Sequence, residues 1–118
     1  MYSEKLTIVI TSFHSQDKIF KCLESINSNI KTIIVENSNN NSLKKELQKK
    51  YKNVEIILSN ENLGYAKGNN LGLSKVKTEY ALILNPDVTI EKNTLENFFS
   101  IIEKEKNFAI ISPEIQDE

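Results

Sequence analysis

The chain of 118 residues has the length of one domain, with 39% hydrophobic and 26% charged residues, and its fifteen lysines nearly balance sixteen acids. That balance excludes the basic stripe of a nucleic-acid binder, and no apolar run reaches the about 18–20 residues that span a bilayer. Arginine is absent, so any bound phosphate must be met by backbone N–H groups, lysine or a metal rather than by a guanidinium fork.

The N-terminal MYSEKLTIVI has no apolar stretch of leader length and no small-residue cleavage site, so a cytoplasmic location is expected. Residues 6–12, LTIVITS, are β-branched and apolar and predict a buried strand. Ser15 is placed to cap a helix over about 16–28, in which Ile19, Cys22, Leu23 and Ile26 repeat at helical spacing. Cys22, the single cysteine, is thereby assigned to packing. KTIIVEN (31–37) predicts a second strand, and Leu43, Leu47 and Tyr51 mark a second helix. VEIILSN (54–60) predicts a third strand, and the segment carrying Tyr65, Leu71, Leu73 and Val76 a third helix. YALILN (80–85) predicts a fourth strand, Leu95, Phe98, Phe99 and Ile102 a fourth helix, and FAIIS (108–112) a fifth strand. Strict alternation with near-continuous Ile, Val and Leu strands implies an α/β domain over residues 1–118. Its mainly parallel five-stranded sheet is covered by helices on both faces.

In such a sheet the ligand crevice lies beyond the carboxyl ends of the strands. The residues there are Thr11, Ser12, Phe13, His14 and Ser15; Glu36, Asn37 and Ser38; Ser59, Asn60, Glu61 and Asn62; and Asn85, Pro86 and Asp87. Ser15, Ser38 and Ser59 taken singly read as caps, and His14 as a solvated loop residue. Glu36 and Asp87 stand at the mouths of apolar strands, where a carboxylate meets a cation, accepts a base or ribose hydrogen bond, or stays solvated. All three glycines, Gly64, Gly68 and Gly72, fall at a spacing of four. That spacing matches neither the dinucleotide fingerprint nor the phosphate loop. It puts them near one helix face, where the backbone approaches the sheet or a ligand closely.

The order TIVITSFHS, IIVENS, SNENLGYAKGNNLG, and Thr78-Glu79-Tyr80 leading into LILNPDV resembles the inverting family 2 glycosyltransferases of GT-A fold, especially the rhamnosyltransferase-like branch. The resemblance covers nearly the whole chain and implies a Rossmann-like GT-A nucleotide-binding half. It implies an enzyme that moves a sugar from a nucleoside-diphosphate sugar, dTDP-rhamnose-like in that branch, to a glycan or lipid-linked acceptor in polysaccharide biosynthesis. By resemblance Thr11, Ser12 and Phe13 border the nucleotide and Glu36 hydrogen-bonds the pyrimidine. Gly64 and its helix flank nucleoside and sugar, with Asn62 and Lys67 as polar contacts. Asn85-Pro86-Asp87 stands where the family carries its Asp-x-Asp, so Asp87 is the expected metal ligand for Mg²⁺ or Mn²⁺. The family's general base and acceptor site lie beyond the matching segment, so no catalytic residue is assigned. The alternative is a nucleotide-sugar-binding module without turnover, or a piece that pairs with a second chain or a copy of itself. A lipid-linked acceptor would make the location membrane-peripheral. A receiver- or flavodoxin-like domain is the third reading, weakened because Thr11-Ser12-Phe13 supplies no clustered acids.

Overall fold

The structure, a computed structural model, describes residues 2–105, 107, 108 and 110–112. A 3-10 turn, Tyr2–Glu4, leads into β1 (Leu6–Ser12), followed by α1 (Gln16–Glu24), β2 (Lys31–Glu36), α2 (Asn41–Lys50) and β3 (Val54–Leu58). The glycine segment forms α3 (Gly64–Leu73), and β4 (Tyr80–Leu84) and α4 (Thr94–Lys104) follow. The strands lie in the order β3-β2-β1-β4, every neighbouring pair parallel.

Strand parity divides the core. Leu6, Ile8 and Ile10 of β1 join Ile34 of β2 and Ile56 of β3 in one cluster with Ile19, Cys22 and Leu23 of α1, Leu43 and Leu47 of α2, and Leu95 and Phe99 of α4. The alternate residues Val9 and Val35 face α3. β1 and β2 are enclosed from both sides, which accounts for their unbroken apolar sequences. Helices therefore cover both faces, as the alternation implies.

Three local expectations are corrected. The fifth strand over 108–112 is absent among the described residues: Phe108 and residues 110–112 carry no ladder, position 109 lies outside them, and Ile110 is 87% exposed. Strand composition is insufficient unless the segment also lies in register along a neighbouring edge, where its backbone donors and acceptors would be satisfied. β4 is also less enclosed than its sequence implies, since Ala81 and Ile83 face solvent while Tyr80, Leu82 and Leu84 pack inward. The reason is that α3 packs mainly across β1 and β2. Finally, none of the three serines caps a helix with its side chain. Ser15 Oγ donates to the Phe13 carbonyl, Ser38 Oγ to Glu36, and Ser59 Oγ to the carbonyls of Glu36 and Glu61. The cap of α2 is instead Asn40, whose Oδ1 accepts from the Leu43 N–H at 3.0 Å.

Candidate functional site

The parallel register sets the strand ends level: Ser12 stands beside Glu36, Glu36 beside Leu58, and Ile10 beside Leu84. The loops after all four strands therefore share one edge, with Glu36 and Asp87 on the same side of the molecule. Three of these loops are tied together. The His14 N–H donates to Ser38 Oγ at 3.3 Å, linking the first loop to the second. The Asn60 N–H donates to Asn39 Oδ1 at 2.8 Å, linking the second to the third. Asn37 Nδ2 reaches the Gly64 carbonyl at 3.1 Å and fixes the start of α3. His14, Asn39 and Asn60 all have positive φ, so each of these loops turns through a left-handed residue of a type that tolerates it.

The expected site residues fall into an inner and an outer set. Thr11 is buried and donates through Oγ1 to Asn69 Oδ1 at 2.7 Å, a bond between β1 and α3. Ser12 is wholly enclosed and its hydroxyl has no partner among the described residues. Glu36 is also fully buried. Its carboxylate accepts from the Ser38 N–H at 3.1 Å, the Ser38 hydroxyl at 2.8 Å and the Asn40 N–H at 2.9 Å. All three bonds fall on one oxygen, and the other lies 2.8 Å from the same Ser38 hydroxyl, so the carboxylate is turned into the protein's own loop, a destination beyond the three considered from sequence. Phe13, by contrast, is 48% exposed, with its ring edge-on to His14 at 4.3 Å. Asn62, Gly64, Lys67, Asn85 and Asp87 are exposed. Asn62 Oδ1 accepts from the Gly64 N–H at 3.0 Å and closes the turn into α3. Asn37, placed at the crevice by the sequence, serves with Asn40 and Asn69 as framework; position 37 continues the 33, 35 parity and so points to the α3 face, a signal present in the sequence.

The glycines divide likewise. A Cβ on Gly68 would lie 2.5 Å from Thr11 Cγ2, and one on Gly72 2.5 Å from Val9 Cγ1. Both serve close helix–sheet approach. Gly64 has open space around it and φ of +77°, so it serves the turn.

The fourth loop is anchored differently. Cys22 Sγ points at the Asn85 carbonyl at 3.8 Å, and the same carbonyl accepts from Val88 N–H at 3.2 Å. Burial, reinforced by the negative charge of Asp87, pushes the Cys22 thiol up to about 11. Two results follow. Native protein should resist iodoacetamide at pH 8 and label only on unfolding, as mass spectrometry would show; rapid native labelling would contradict the enclosed thiol. The unfolded chain also releases this proton near its ordinary value of 9.0 while the folded chain retains it, so this contribution to stability is intact below pH 9 and is lost as pH rises toward about 11.

Among the described residues no group of three or more His, Cys, Asp and Glu could hold a metal ion by itself. Asp87 has a free carboxylate that no described hydrogen bond or ion pair engages. A concavity of about 620 Å³ is at the other end of the sheet, lined by Tyr2, Lys5, Tyr80 and Phe99 among others, and contains none of the expected site residues. A smaller cleft of about 310 Å³ lies on the carboxyl edge, between the first two loops, and includes His14, Ser15, Ser38 and Asn40.

The model of glycosyl transferase family 2 matches residues 7–117, which include every strand-end loop described above. The chain belongs to glycosyltransferase family 2. It is 30% identical over 116 residues to the low-salt glycan biosynthesis hexosyltransferase Agl10 of Haloferax volcanii, covering 95% of this chain and 37% of that protein. It is 36% identical over 91 residues to a teichoic acid poly(glycerol phosphate) polymerase of Staphylococcus epidermidis, covering 70% of this chain and 13% of the polymerase. The family 2 chain thus spans about a third or less of the length of these curated relatives. Among solved structures, S. aureus TarS 1–349 in complex with UDP superimposes with a TM-score of 0.72 at 21% identity, over 85% of this chain and 32% of TarS. The likeness establishes a common GT-A-like α/β fold. Among the described residues no helix is long and apolar enough to cross a membrane.

Proposed function

We propose that this family 2 chain is the donor-binding half of a glycosyltransferase that takes sugar from a nucleoside-diphosphate sugar. The observation that carries the reading is the common edge shared by exposed Phe13, Asn62, the first turn of α3 with Lys67, and Asp87 in a chain of this family. Phe13 offers an aromatic face for a base, Lys67 a cation for phosphate, and the Gly64 backbone allows close approach. Thr11, Ser12 and Glu36 form the buried wall behind them, with Glu36 setting the path of the second loop. The UDP complex of the TarS structure supports a pyrimidine nucleotide as the first ligand to try, and a dTDP-rhamnose-like donor is the form the rhamnosyltransferase-like branch would use.

A lone carboxylate in a protein without arginine fits a hard dication completed by phosphate and water, the habit of Mg²⁺ and Mn²⁺. Asp87 would hold that ion, with the Asn85 side chain as a weaker neighbour. When bound, the ion would supply charge stabilisation for a departing diphosphate. The acceptor site and the general base would be supplied from outside residues 1–118, with the exposed Ala81 and Ile83 face of β4 as the surface open to a further domain, a second chain or a copy of this one. A cytoplasmic setting, membrane-peripheral for a lipid-linked acceptor, fits such a donor.

A thermal-shift titration with UDP and dTDP, with Mn²⁺ or with EDTA, tests this. Ligand at a hundred times Kd adds about 2.7 kcal/mol. Asp87→Ala should abolish the metal-dependent part and leave the melting temperature of the free protein near that of the parent, because an exposed carboxylate contributes little to packing. Equal metal-dependent stabilisation in both proteins would remove Asp87 from the site. A nucleotide-sugar-binding module without turnover is the second reading. Nucleotide binding without sugar transfer from a labelled donor, by the 118-residue chain and by any longer protein that contains it, would decide for that reading.

A further inference from the structure

The first three loops at the carboxyl edge are linked to one another, but the loop carrying Asp87 is tied to the end of α1. Its first tether is the Asn85 carbonyl, which faces Cys22 Sγ at 3.8 Å. Its second is the Ile90 N–H, which donates to Ser25 Oγ at 2.9 Å, while Ser25 Oγ donates to the Cys22 carbonyl at 2.6 Å. The Ile90 side chain packs against the core beside this bond. Asp87 is therefore suspended between two attachments, at positions 85 and 90, whose partners Cys22 and Ser25 lie three residues apart at one helix end. Ser25 both accepts from the loop and donates to the helix, so its hydroxyl orientation is set by α1 and the lone pair it offers is aimed at the loop.

We propose that Ser25 is a positioning residue for Asp87, holding the β4–α4 loop so that its carboxylate meets a divalent cation on the diphosphate; this rests on the donor-site reading above. Ser74 provides an internal control. Its Oγ donates to the Leu71 carbonyl at 2.6 Å in the same arrangement at the end of α3, with no loop N–H among its described partners. Removing either hydroxyl breaks the same type of helix-end bond, but only Ser25 also releases the Asp87 loop.

The test uses the full 118-residue chain and reads Mn²⁺ affinity by electron paramagnetic resonance in saturating UDP, and UDP affinity in EDTA by calorimetry. Ser25→Ala should weaken Mn²⁺ binding about threefold to tenfold, the equivalent of one neutral hydrogen bond, and leave metal-free UDP affinity unchanged. Ser74→Ala should change neither, and Ser25→Thr, which retains the hydroxyl, should restore Mn²⁺ affinity. Amide exchange at Val88 and Ile90 should rise in Ser25→Ala and not in Ser74→Ala, a readout that needs no ligand. Equal Mn²⁺ affinity in the two alanine variants, an equal fall in metal-free UDP affinity, or unchanged exchange at Val88 would each overturn the assignment. Failure of the parent chain to bind Mn²⁺ in the presence of UDP would instead remove the donor-site reading, and the role proposed for Ser25 with it, before any variant is compared.

Discussion

Glu36→Ala is expected to destabilise the protein by about 3 kcal/mol, because it removes a carboxylate that accepts charge-assisted hydrogen bonds worth roughly 1.5–3 kcal/mol each. Glu36 is completely buried and serves the Ser38 N–H, the Ser38 hydroxyl and the Asn40 N–H. Without it two backbone donors in a tight loop lose their acceptor, and Asn40 is the residue that caps α2. The damage should therefore spread from the loop into the first turn of that helix. Glu36→Gln tests the charge separately from the shape: both backbone donors fall on one carboxylate oxygen, so the amide oxygen can accept from both while its NH₂ group donates to Ser38 Oγ, and only the charge assistance should be lost. For a domain of this size the alanine variant should melt roughly 10 °C or more below the parent. A melting temperature equal to the parent's would mean that the loop is held by its other bonds, and would free Glu36 for a role toward a ligand.

Gly72→Ala should be destabilising by about 1–3 kcal/mol even though alanine is the better helix former, because the cost of overpacking exceeds the roughly 0.5–1 kcal/mol gained in propensity. The added Cβ would lie 2.5 Å from Val9 Cγ1 and 3.3 Å from Val35 Cγ2. Both valines are buried on the two central strands, and β-branched side chains have few rotamers to retreat into. The helix must therefore lift from the sheet. Gly68→Ala meets the same obstacle at Thr11 and would also disturb Asn37, so it should loosen the attachment of Gly64 at the site edge. Gly64→Ala fails for another reason, strain at φ of +77° with no steric neighbour. Chemical denaturation of Gly72→Ala, Val9→Ala and the double variant separates the mechanisms. A clash predicts that the double variant is less destabilised than the sum of the single ones. Strict additivity would show that Gly72 is needed for backbone freedom rather than for space.

The alternation of elements was legible in the sequence because each depends on short-range spacing. β1 spans the expected 6–12, and Ile19, Cys22 and Leu23, or Leu43 and Leu47, are buried as their periods require. The common edge of the four loops followed too, since strands joined through helices run parallel and so end on the same side of the sheet. That Gly68 and Gly72 marked a close approach was also readable, as a propensity loss asking for a compensating contact.

The tertiary structure alone decided which partner each polar group takes. Thr11 and Glu36 follow their strands as neighbours of a crevice would, yet one is bound to Asn69 and the other to Ser38 and Asn40. Hydrogen-bond choice depends on the path of a loop through space, and residues such as Thr11 and Asn69, 58 positions apart, have no local signature. The same holds for surfaces. YALIL has the composition of a strand buried on both faces, but Ala81 and Ile83 are exposed because α3 lies over β1 and β2. Composition records what a strand tolerates, whereas the route of a helix across the sheet determines what is covered. FAIIS likewise has the residues of a strand without a ladder at its described positions, since pairing requires a second backbone in register and that is a property of the assembled fold.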